Sequence, residues 1–204
     1  MHGEATARRR LNPTQRKRLL MEDAVKVFAR RGIGRAGHTE IAQMSGVSVA
    51  TVFNYFNTRE ALVDEVLDEV EQFLIRLSID ALRKGENAQE TLNHCISTFI
   101  NACHENPDYI KIWLEWSSSV REDTWPRYLK FQDHILALIE TQISHAIDAG
   151  KLSSGLPAAD RARWALGNAH MLVSMVFSPD SKDESEIRTL VSRGFSHILG
   201  IQAA

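Results

Sequence analysis

The chain has 204 residues, of which 44% are hydrophobic, 7% aromatic and 25% charged, a composition ordinary for a globular protein with ample material for a core. No apolar run approaches the roughly 20 residues of a membrane span, and the basic N-terminal segment lacks a signal peptide's apolar stretch, so we expect a cytoplasmic protein. Residues 1–60 carry eleven Lys/Arg against five Asp/Glu, whereas the remainder carries 13 against 21. This imbalance favours contact with a polyanion through the N-terminal part alone, although a mere surface bias gives the same counts.

Helices are predicted almost throughout, because apolar residues recur at three- and four-residue spacings and period-two alternation is short. The first helix is predicted over 13–31, with Asn12 as its N-cap and Pro13 at its first position. The helices predicted after it span 39–45, 49–56, 59–82, 87–105, 107–119, 124–149, 158–177 and 184–199. About nine helices without a convincing strand predict an all-α protein, with an N-terminal domain over residues 1–60 and a larger C-terminal domain over 61–204.

The segment from His38 to Tyr55 has the spacing of a helix-turn-helix motif. Ala42 is small enough for a second helix to cross closely, and Gly46 supplies the positive φ of the turn. On a helix starting at residue 49, apolar positions i, i+3, i+4 and i+7 face inward. The four side chains predicted to face inward are Val49, Val52, Phe53 and Phe56. The alternative to a DNA-binding motif is an ordinary αα-hairpin.

The opposite face of this helix carries side chains suited to DNA. Asn pairs bidentately with adenine, Ala and the Thr methyl group suit the thymine methyl, and Tyr and Ser hydroxyl groups suit phosphates. The residues predicted to form this face are Ser48, the N-cap, with Ala50, Thr51, Asn54 and Tyr55. Thr39 and Arg59 lie near the starts of the neighbouring helices, where free N–H groups favour phosphate.

The extreme N-terminus adds the basic stretch "TARRRLNPTQRKR". We expect its first three arginines, Arg8, Arg9 and Arg10, to lie in a minor groove beside the recognition helix, as the arms of homeodomains do. The alternative is a disordered, solubilising tail.

Several stretches resemble the TetR family of transcriptional regulators, and within it the quorum-sensing master regulators of the LuxR/HapR type. The stretches that carry the resemblance are "VFARRGIGR", "HTEIAQMSGVSVATVFNYFNTREALVDEVL" and "KIWLEWSSSVREDTW". The resemblance is most specific over residues 13–67, and beyond Pro126 only a helical pattern is shared. It implies a cytoplasmic, nucleoid-associated homodimer that binds a pseudo-palindromic operator in double-stranded DNA, with the helices at 158–177 and 184–199 pairing between subunits. Carried over by position, the family's DNA contacts fall on Thr39, Ser48, Ala50, Thr51, Asn54, Tyr55 and Arg59.

Regulators of this family commonly hold a hydrophobic small molecule inside the C-terminal domain. Trp113 and Trp116 are three residues apart, share a helical face and are candidates for the wall of such a pocket, although tryptophans so spaced are often simply core. The residues expected to line the pocket are Leu74, Ile96, Phe99, Trp113, Trp116, Ser117, Tyr128, Gln132 and His170. In the resembling subgroup a pocket-lining Asn and Gln fall at Gln132 and Leu136, so the second polar anchor is absent here. His170 has the alternative of a satisfied core histidine.

Other chemistry is not supported by the sequence. The glycine-rich "GIGRAG" follows a helix rather than a strand, so we expect a loop between helices and not a dinucleotide site. The histidines are scattered, no nucleophile elbow occurs, and no metal, cofactor or enzymatic activity is expected. Cys95 and Cys103 are interpreted as buried thiols, with a redox sensor as the alternative.

The function that best fits these features is sequence-specific regulation of transcription, as a global quorum-sensing regulator that both activates and represses. The alternative is a local repressor that a hydrophobic small molecule releases from DNA. An enzyme or carrier would show turnover or bound lipid and no affinity for DNA.

Overall fold

The computed structural model describes residues 12–83, 85–153, 155–180 and 183–201. Within those ranges the chain forms nine α-helices and no strand, which confirms the predicted all-α class. The helices are α1 (Pro13–Arg31), α2 (His38–Ser45), α3 (Val49–Phe53), α4 (Arg59–Ala81), α5 (Ala88–Glu105), α6 (Pro107–Trp116), α7 (Trp125–Asp148), α8 (Ala158–Val176) and α9 (Glu184–Leu199).

The chain divides into two compact units between Leu67 and Asp68. The division falls inside α4, whereas the sequence led us to expect it between residues 60 and 61. The N-terminal unit contains α1, α2, α3 and the first turns of α4, and the C-terminal unit contains the rest of the chain.

The N-terminal unit begins with a strongly defined helix start. Asn12 and Gln15 form a reciprocal capping box, in which the Gln15 N–H donates to Asn12 Oδ1 at 2.8 Å and the Asn12 N–H donates to Gln15 Oε1 at 3.2 Å. The helix ends at Gly32, which has a φ of 85° and whose N–H donates to the carbonyl of Phe28. As expected, the glycine-rich stretch is a connection between α1 and α2. Buried core residues of α1 are Leu20, Ala24, Val25, Val27 and Phe28.

The turn between α2 and α3 is set by one glycine. Gly46 adopts the left-handed conformation at φ 64°, and its N–H donates to the carbonyl of Ala42. The Val47 N–H donates to the same carbonyl at 3.0 Å. Only a residue without a Cβ takes this conformation at no cost, so the prediction for Gly46 is confirmed.

Two helix ends differ from the prediction. The second short helix ends at Phe53 rather than at 56, so part of its predicted apolar face lies outside it. Val52 and Phe56 are buried, but Val49 is 37% and Phe53 44% exposed, and their inward assignment was wrong. Helix α6 ends at Trp116 rather than at 119, because the next three serines donate their hydroxyl groups to the carbonyls of Leu114 and Glu115.

The C-terminal unit is built around α8, which packs against α5, α6, α7 and α9. A core cluster joins α5, α8 and α9: Leu92, Ile96, Ile100, Leu172, Ile187, Val191 and Phe195. A buried arginine ties α8 to the end of α9. The Arg161 guanidinium, 1% exposed, donates to the carbonyl of Leu199 at 2.9 Å and to that of Ser153 at 2.7 Å. It thereby satisfies one of the carbonyls that the last turn of a helix leaves without an intrahelical donor.

Over the described ranges, none of the helices has the length and apolarity that crossing a bilayer requires. A metal-binding group of three or more His, Cys, Asp or Glu side chains is likewise not found among those residues.

Candidate nucleic-acid interface and internal cavity

The N-terminal end of α3 is fixed by Ser48. Its hydroxyl oxygen accepts a hydrogen bond from the Thr51 N–H at 3.1 Å, which is the N-cap geometry expected from the sequence. The same oxygen lies 2.9 Å from Thr51 Oγ1. Both polar side chains therefore contribute first to the local structure of α3, with their remaining hydrogen-bonding capacity available to a ligand.

The exposed side of α3 carries the residues predicted to contact DNA. Ala50 and Asn54 are exposed, whereas Thr51 and Tyr55 are half-buried. Asn54 follows the last helical residue in an αR conformation, and its backbone N–H donates to the carbonyl of Ala50. Its side-chain amide is therefore displayed at the end of the helix, while Val52 on the other side lies in the core.

His38 was not singled out by the sequence, yet it contacts α3 directly. The side chain is 6% exposed, and its ring stacks on Phe53 with centroids 3.9 Å apart and an interplanar angle of 6°. Nε2 lies 2.7 Å from the carbonyl oxygen of Phe56. A histidine at the first position of α2 carries no periodic signal, and its partners lie 15 to 18 residues further along, so only the fold reveals the contact.

The residues proposed for phosphate contact are partly engaged within the protein. Thr39 is exposed in the first turn of α2, as expected. Arg59, at the first position of α4, donates a guanidinium hydrogen to the carbonyl of Ile33 at 2.7 Å. Thr58 caps that helix by accepting from the Ala61 N–H at 3.1 Å. The three arginines Arg8, Arg9 and Arg10 lie outside the described residues.

The C-terminal unit contains an internal cavity of about 230 Å³. Its wall is mainly apolar and is contributed by the C-terminal part of α4 together with α5, α6, α7, α8 and α9. Four of the residues expected to line a pocket lie on this wall: Leu74, Ile96, Phe99 and Trp113. Polar side chains on the wall include Gln142, His145 and Lys151.

Much of the wall comes from α7, which the sequence did not indicate. Residues at four-residue intervals along this helix line the cavity: Phe131, Ile135, Ile139 and Ile143. That spacing places the four residues on one apolar face of α7, and the sequence shows this face. The sequence pattern is the same whether such a face lines a cavity or packs in a core, so it did not reveal the cavity.

The other residues expected at the pocket form a separate cluster around the hydroxyl group of Tyr128, in which Tyr128 and Trp116 are buried and the rest half-buried. The Tyr128 oxygen lies 3.5 Å from His170 Nε2. Burial raises the pKa of Tyr128, an effect that the neighbouring polar side chains of Gln132 and Ser117 oppose. Trp116, completely buried, packs edge-on against Tyr128 and donates its indole N–H to the carbonyl of Thr124. Tyr128, Gln132, Ser117, Trp116 and His170 do not lie on the cavity wall.

His170 is half-buried and has the contacts of a satisfied core histidine. Its Nδ1 lies 3.0 Å from the carbonyl oxygen of Leu166, and its ring centroid lies 4.1 Å from that of Trp113. Because a carbonyl oxygen can only accept, Nδ1 carries the hydrogen, and Nε2 is left to accept from Tyr128. Burial lowers the pKa of His170 below 6.5.

The two cysteines are poor candidates for a redox sensor. Burial raises the pKa of Cys95 and of Cys103 to about 12, so both thiols are protonated at neutral pH and react slowly. Cys95 lies on the cavity wall and donates its thiol hydrogen to the carbonyl of Ala81. The interpretation as buried thiols therefore fits Cys103, which is buried, and in part Cys95, which is half-buried.

The N-terminal unit has the architecture of a helix-turn-helix domain, the class of module that transcription regulators use to bind DNA. Residues 20–66 match the family described as bacterial regulatory proteins, tetR family. The chain is also 38% identical over 185 residues to the HTH-type transcriptional regulator LuxR of Vibrio harveyi, an alignment that covers 91% of this chain and 89% of that protein. The chain belongs to the tetR family of bacterial regulatory proteins and is a transcriptional regulator of the TetR type.

Solved structures share the fold at low sequence identity. FadR from Bacillus subtilis, in complex with stearoyl-CoA, is 20% identical with a TM-score of 0.71, and the match covers 91% of this chain and 99% of that chain. AibR, in complex with isovaleryl coenzyme A and operator DNA, is 17% identical with a TM-score of 0.71, over 92% of this chain and 100% of that chain.

Proposed function

We propose that two copies of this chain bind a pseudo-palindromic operator in double-stranded DNA, each with α3 in the major groove. The observation that carries this proposal is the two-sided character of α3 and the residues directly after it. Val52 and Phe56 are buried, while Ala50 and Asn54 are exposed. Ser48, Thr51 and Tyr55 add hydroxyl groups beside them. Asn54 reads adenine, and its neighbours contact thymine methyl groups and phosphates.

Contacts to the DNA backbone orient the protein on its operator. Thr39 and Arg59 approach phosphates at the starts of α2 and α4, where helix N-termini favour anions. Arg8, Arg9 and Arg10 enter the adjacent minor groove, which supplies salt-sensitive affinity with little base specificity. AibR, which shares the fold, forms a complex with operator DNA, and this supports the proposal.

The dimer forms through α8 and α9. Large apolar side chains are exposed on both helices, with Trp164 at 56%, Met171 at 42% and Leu190 at 48% exposure. Trp164 and Met171 are two helical turns apart and so share one side of α8. Exposed apolar side chains grouped on neighbouring helices are typical of a surface that a second copy covers.

The regulator acts in the cytoplasm, at the nucleoid, as a global quorum-sensing regulator that activates some promoters and represses others. The resemblance to the LuxR/HapR type and the 38% identity to LuxR of Vibrio harveyi support this assignment. The test is to incubate the purified protein with sheared genomic DNA from its source organism and to sequence the retained fragments. Many fragments that share a degenerate pseudo-palindrome of about 20 base pairs are the expected result. If the retained fragments share no enriched sequence, operator binding is refuted.

A local, ligand-responsive repressor is the second candidate, and the cavity favours it. A volume of about 230 Å³ with a mainly apolar wall suits a hydrophobic small molecule. FadR from Bacillus subtilis and AibR, which share the fold, hold stearoyl-CoA and isovaleryl coenzyme A. One or two strong genomic sites beside the protein's own gene would support this candidate over global regulation.

The cavity itself is tested by thermal unfolding in the presence of acyl-CoA thioesters and other hydrophobic compounds. A compound at 100 times its dissociation constant stabilises the folded state by about 2.7 kcal/mol, which raises the melting temperature measurably. Phe99→Trp, which reduces the volume of the cavity, should remove the shift. A shift that persists in this variant would indicate binding elsewhere.

A further inference from the structure

We propose that His38 is a positioning residue for base recognition: its imidazole holds the C-terminal end of α3 so that Asn54 is presented to DNA. The inference rests on the proposed DNA-binding role of α3 and adds to it a residue that contacts no DNA itself. His38 is buried in the N-terminal unit and belongs to α2 rather than to the recognition helix.

Helix α3 is too short to hold its own shape. It contains five residues, little more than one turn, and isolated helices of that length are unstable in water. Its N-terminal end is secured by the Ser48 cap, and Val52 anchors its middle in the core. The segment that follows, where Asn54 lies, is held by the buried side chain of Phe56 and by a further anchor from α2.

His38 provides this anchor through two different contacts. Its ring lies flat against that of Phe53, with centroids 3.9 Å apart and an interplanar angle of 6°, and Phe53 remains 44% exposed with this contact in place. Its Nε2 donates to the carbonyl of Phe56 at 2.7 Å, a short hydrogen bond in a buried setting. The direction of donation follows because a carbonyl oxygen only accepts.

The two contacts lie on either side of Asn54 in the chain. Phe53 immediately precedes it and Phe56 follows two residues later, so the backbone that carries the Asn54 side chain is held on both sides. A bidentate contact to adenine weakens steeply when distances and angles deviate from ideal values. A small displacement of this backbone therefore reduces specific recognition, while contacts to phosphates, which are long-ranged and tolerant, persist.

Three substitutions separate the two contacts. His38→Ala removes both, His38→Phe keeps an aromatic ring against Phe53 without the hydrogen bond, and His38→Gln keeps a donor able to reach Phe56 without the stacked ring. If His38 positions Asn54, His38→Gln and His38→Phe should each restore part of what His38→Ala loses.

The experiment compares affinity for a duplex of about 30 base pairs that the wild-type protein retains from genomic DNA with affinity for a shuffled duplex of the same composition. Binding is followed by fluorescence anisotropy of the labelled duplexes at 25 °C. We expect His38→Ala to weaken binding to the selected duplex about tenfold or more and to the shuffled duplex less than about twofold.

The matched control is Val25→Ala, which removes buried volume from α1 in the same unit without changing a residue of α2 or α3. It should lower the melting temperature and leave the ratio of the two affinities unchanged, because a loss of stability alone does not alter specificity well below the melting temperature. Circular dichroism establishes that each variant is folded at 25 °C, and if His38→Ala is not, His38→Gln and His38→Phe are compared with the wild type.

The outcomes are distinguishable. A reduced affinity ratio in His38→Ala with partial recovery in either of the other variants supports the positioning role. A ratio that stays within about twofold of the wild type, or that falls equally in Val25→Ala, overturns it. A wild-type protein without preference for any duplex overturns the proposed function, and the positioning role with it.

Discussion

Asn54 is exposed at the end of α3, whereas Val52 and Phe56, two residues away on either side, are buried. A substitution at Asn54 can therefore change the recognition surface without opening the core. Asn54→Ala should cost about 1–3 kcal/mol of binding to the operator, the usual contribution of a bidentate base contact, and little on shuffled DNA. Anisotropy titrations with both duplexes measure the difference. The matched control is Asn57→Ala, an exposed asparagine in the loop after α3. Equal losses on both duplexes for Asn54→Ala would rule out base readout.

His170 makes the stability of the protein depend on pH. Burial lowers its pKa below 6.5 in the folded state, so the unfolded chain binds the proton more tightly. The free energy of unfolding contributed by this residue is therefore fully present above pH 6.5 and decreases as the pH falls below that value, by at most about 1.4 kcal/mol per pH unit.

We predict that His170→Gln flattens the loss of stability between pH 7.5 and pH 5. Urea unfolding at several pH values gives the slope for the wild type and for the variant, and groups common to both cancel in the difference. Identical slopes would mean that His170 titrates alike in the folded and unfolded chains.

Among the helices, the ends that the sequence predicted correctly are those marked by residues close together in the chain. The Asn12 cap before Pro13 and the left-handed Gly46 were predicted from residues within a turn of each other, and both are observed. The inward assignment of Phe53 was wrong because a helical wheel assumes that the helix continues, whereas α3 ends at Phe53. The Phe53 side chain instead packs on His38 of α2. Contacts of that kind depend on the crossing of helices, which no periodicity encodes.

Arg161 connects α8 to the end of α9, so its replacement should lower the stability of both helices. Arg161→Met retains the apolar stem but leaves the carbonyls of Leu199 and Ser153 without their donor. We expect a cost of about 1–3 kcal/mol for the half-buried carbonyl of Leu199 and less for that of the exposed Ser153, measured as a lower midpoint of urea unfolding. Arg163→Met, at an exposed position of the same helix, is the control and should change the midpoint little. Equal effects of the two substitutions would contradict the linking role.

For the whole molecule, the charge distribution in the sequence supported a polyanion partner at one end, and the resemblance of residues 13–67 supported the family. The cavity was less accessible to sequence reasoning. Leu74, Ile96 and Phe99 were expected on its wall and lie there, whereas Tyr128 and His170 satisfy each other away from it. Whether apolar faces from six helices meet tightly or leave a void is decided by their combined packing, which the order of residues in any single helix does not encode.

The basic arm should act through charge alone. Replacing Arg8, Arg9 and Arg10 with alanine should weaken binding to all DNA sequences. It should also reduce the slope of log affinity against log salt by about one unit for each phosphate that the arm no longer neutralises. Titrations between low and moderate salt on both duplexes measure this slope. An unchanged slope would mean that the arm does not touch DNA.

The proposed dimer surface can be tested with a single substitution that introduces a negative charge. Trp164→Glu places a carboxylate among the exposed apolar residues of α8 and should convert a dimer into monomers, as measured by sedimentation. Ile79→Glu introduces the same charge at another exposed apolar position, 51% exposed on α4, and should leave the dimer intact. A dimeric Trp164→Glu protein would place the subunit contact elsewhere.

The brevity of α3 has a consequence for how such a regulator acquires new targets. Because buried anchors fix the helix from within, the exposed positions Val49, Ala50 and Asn54 can vary almost independently of folding. Full variation of these three positions, with about 20 residue types at each, requires about 8,000 variants and samples a large part of the recognition surface. Gene duplication followed by a handful of codon changes would thus suffice to redirect one scaffold to a different regulon.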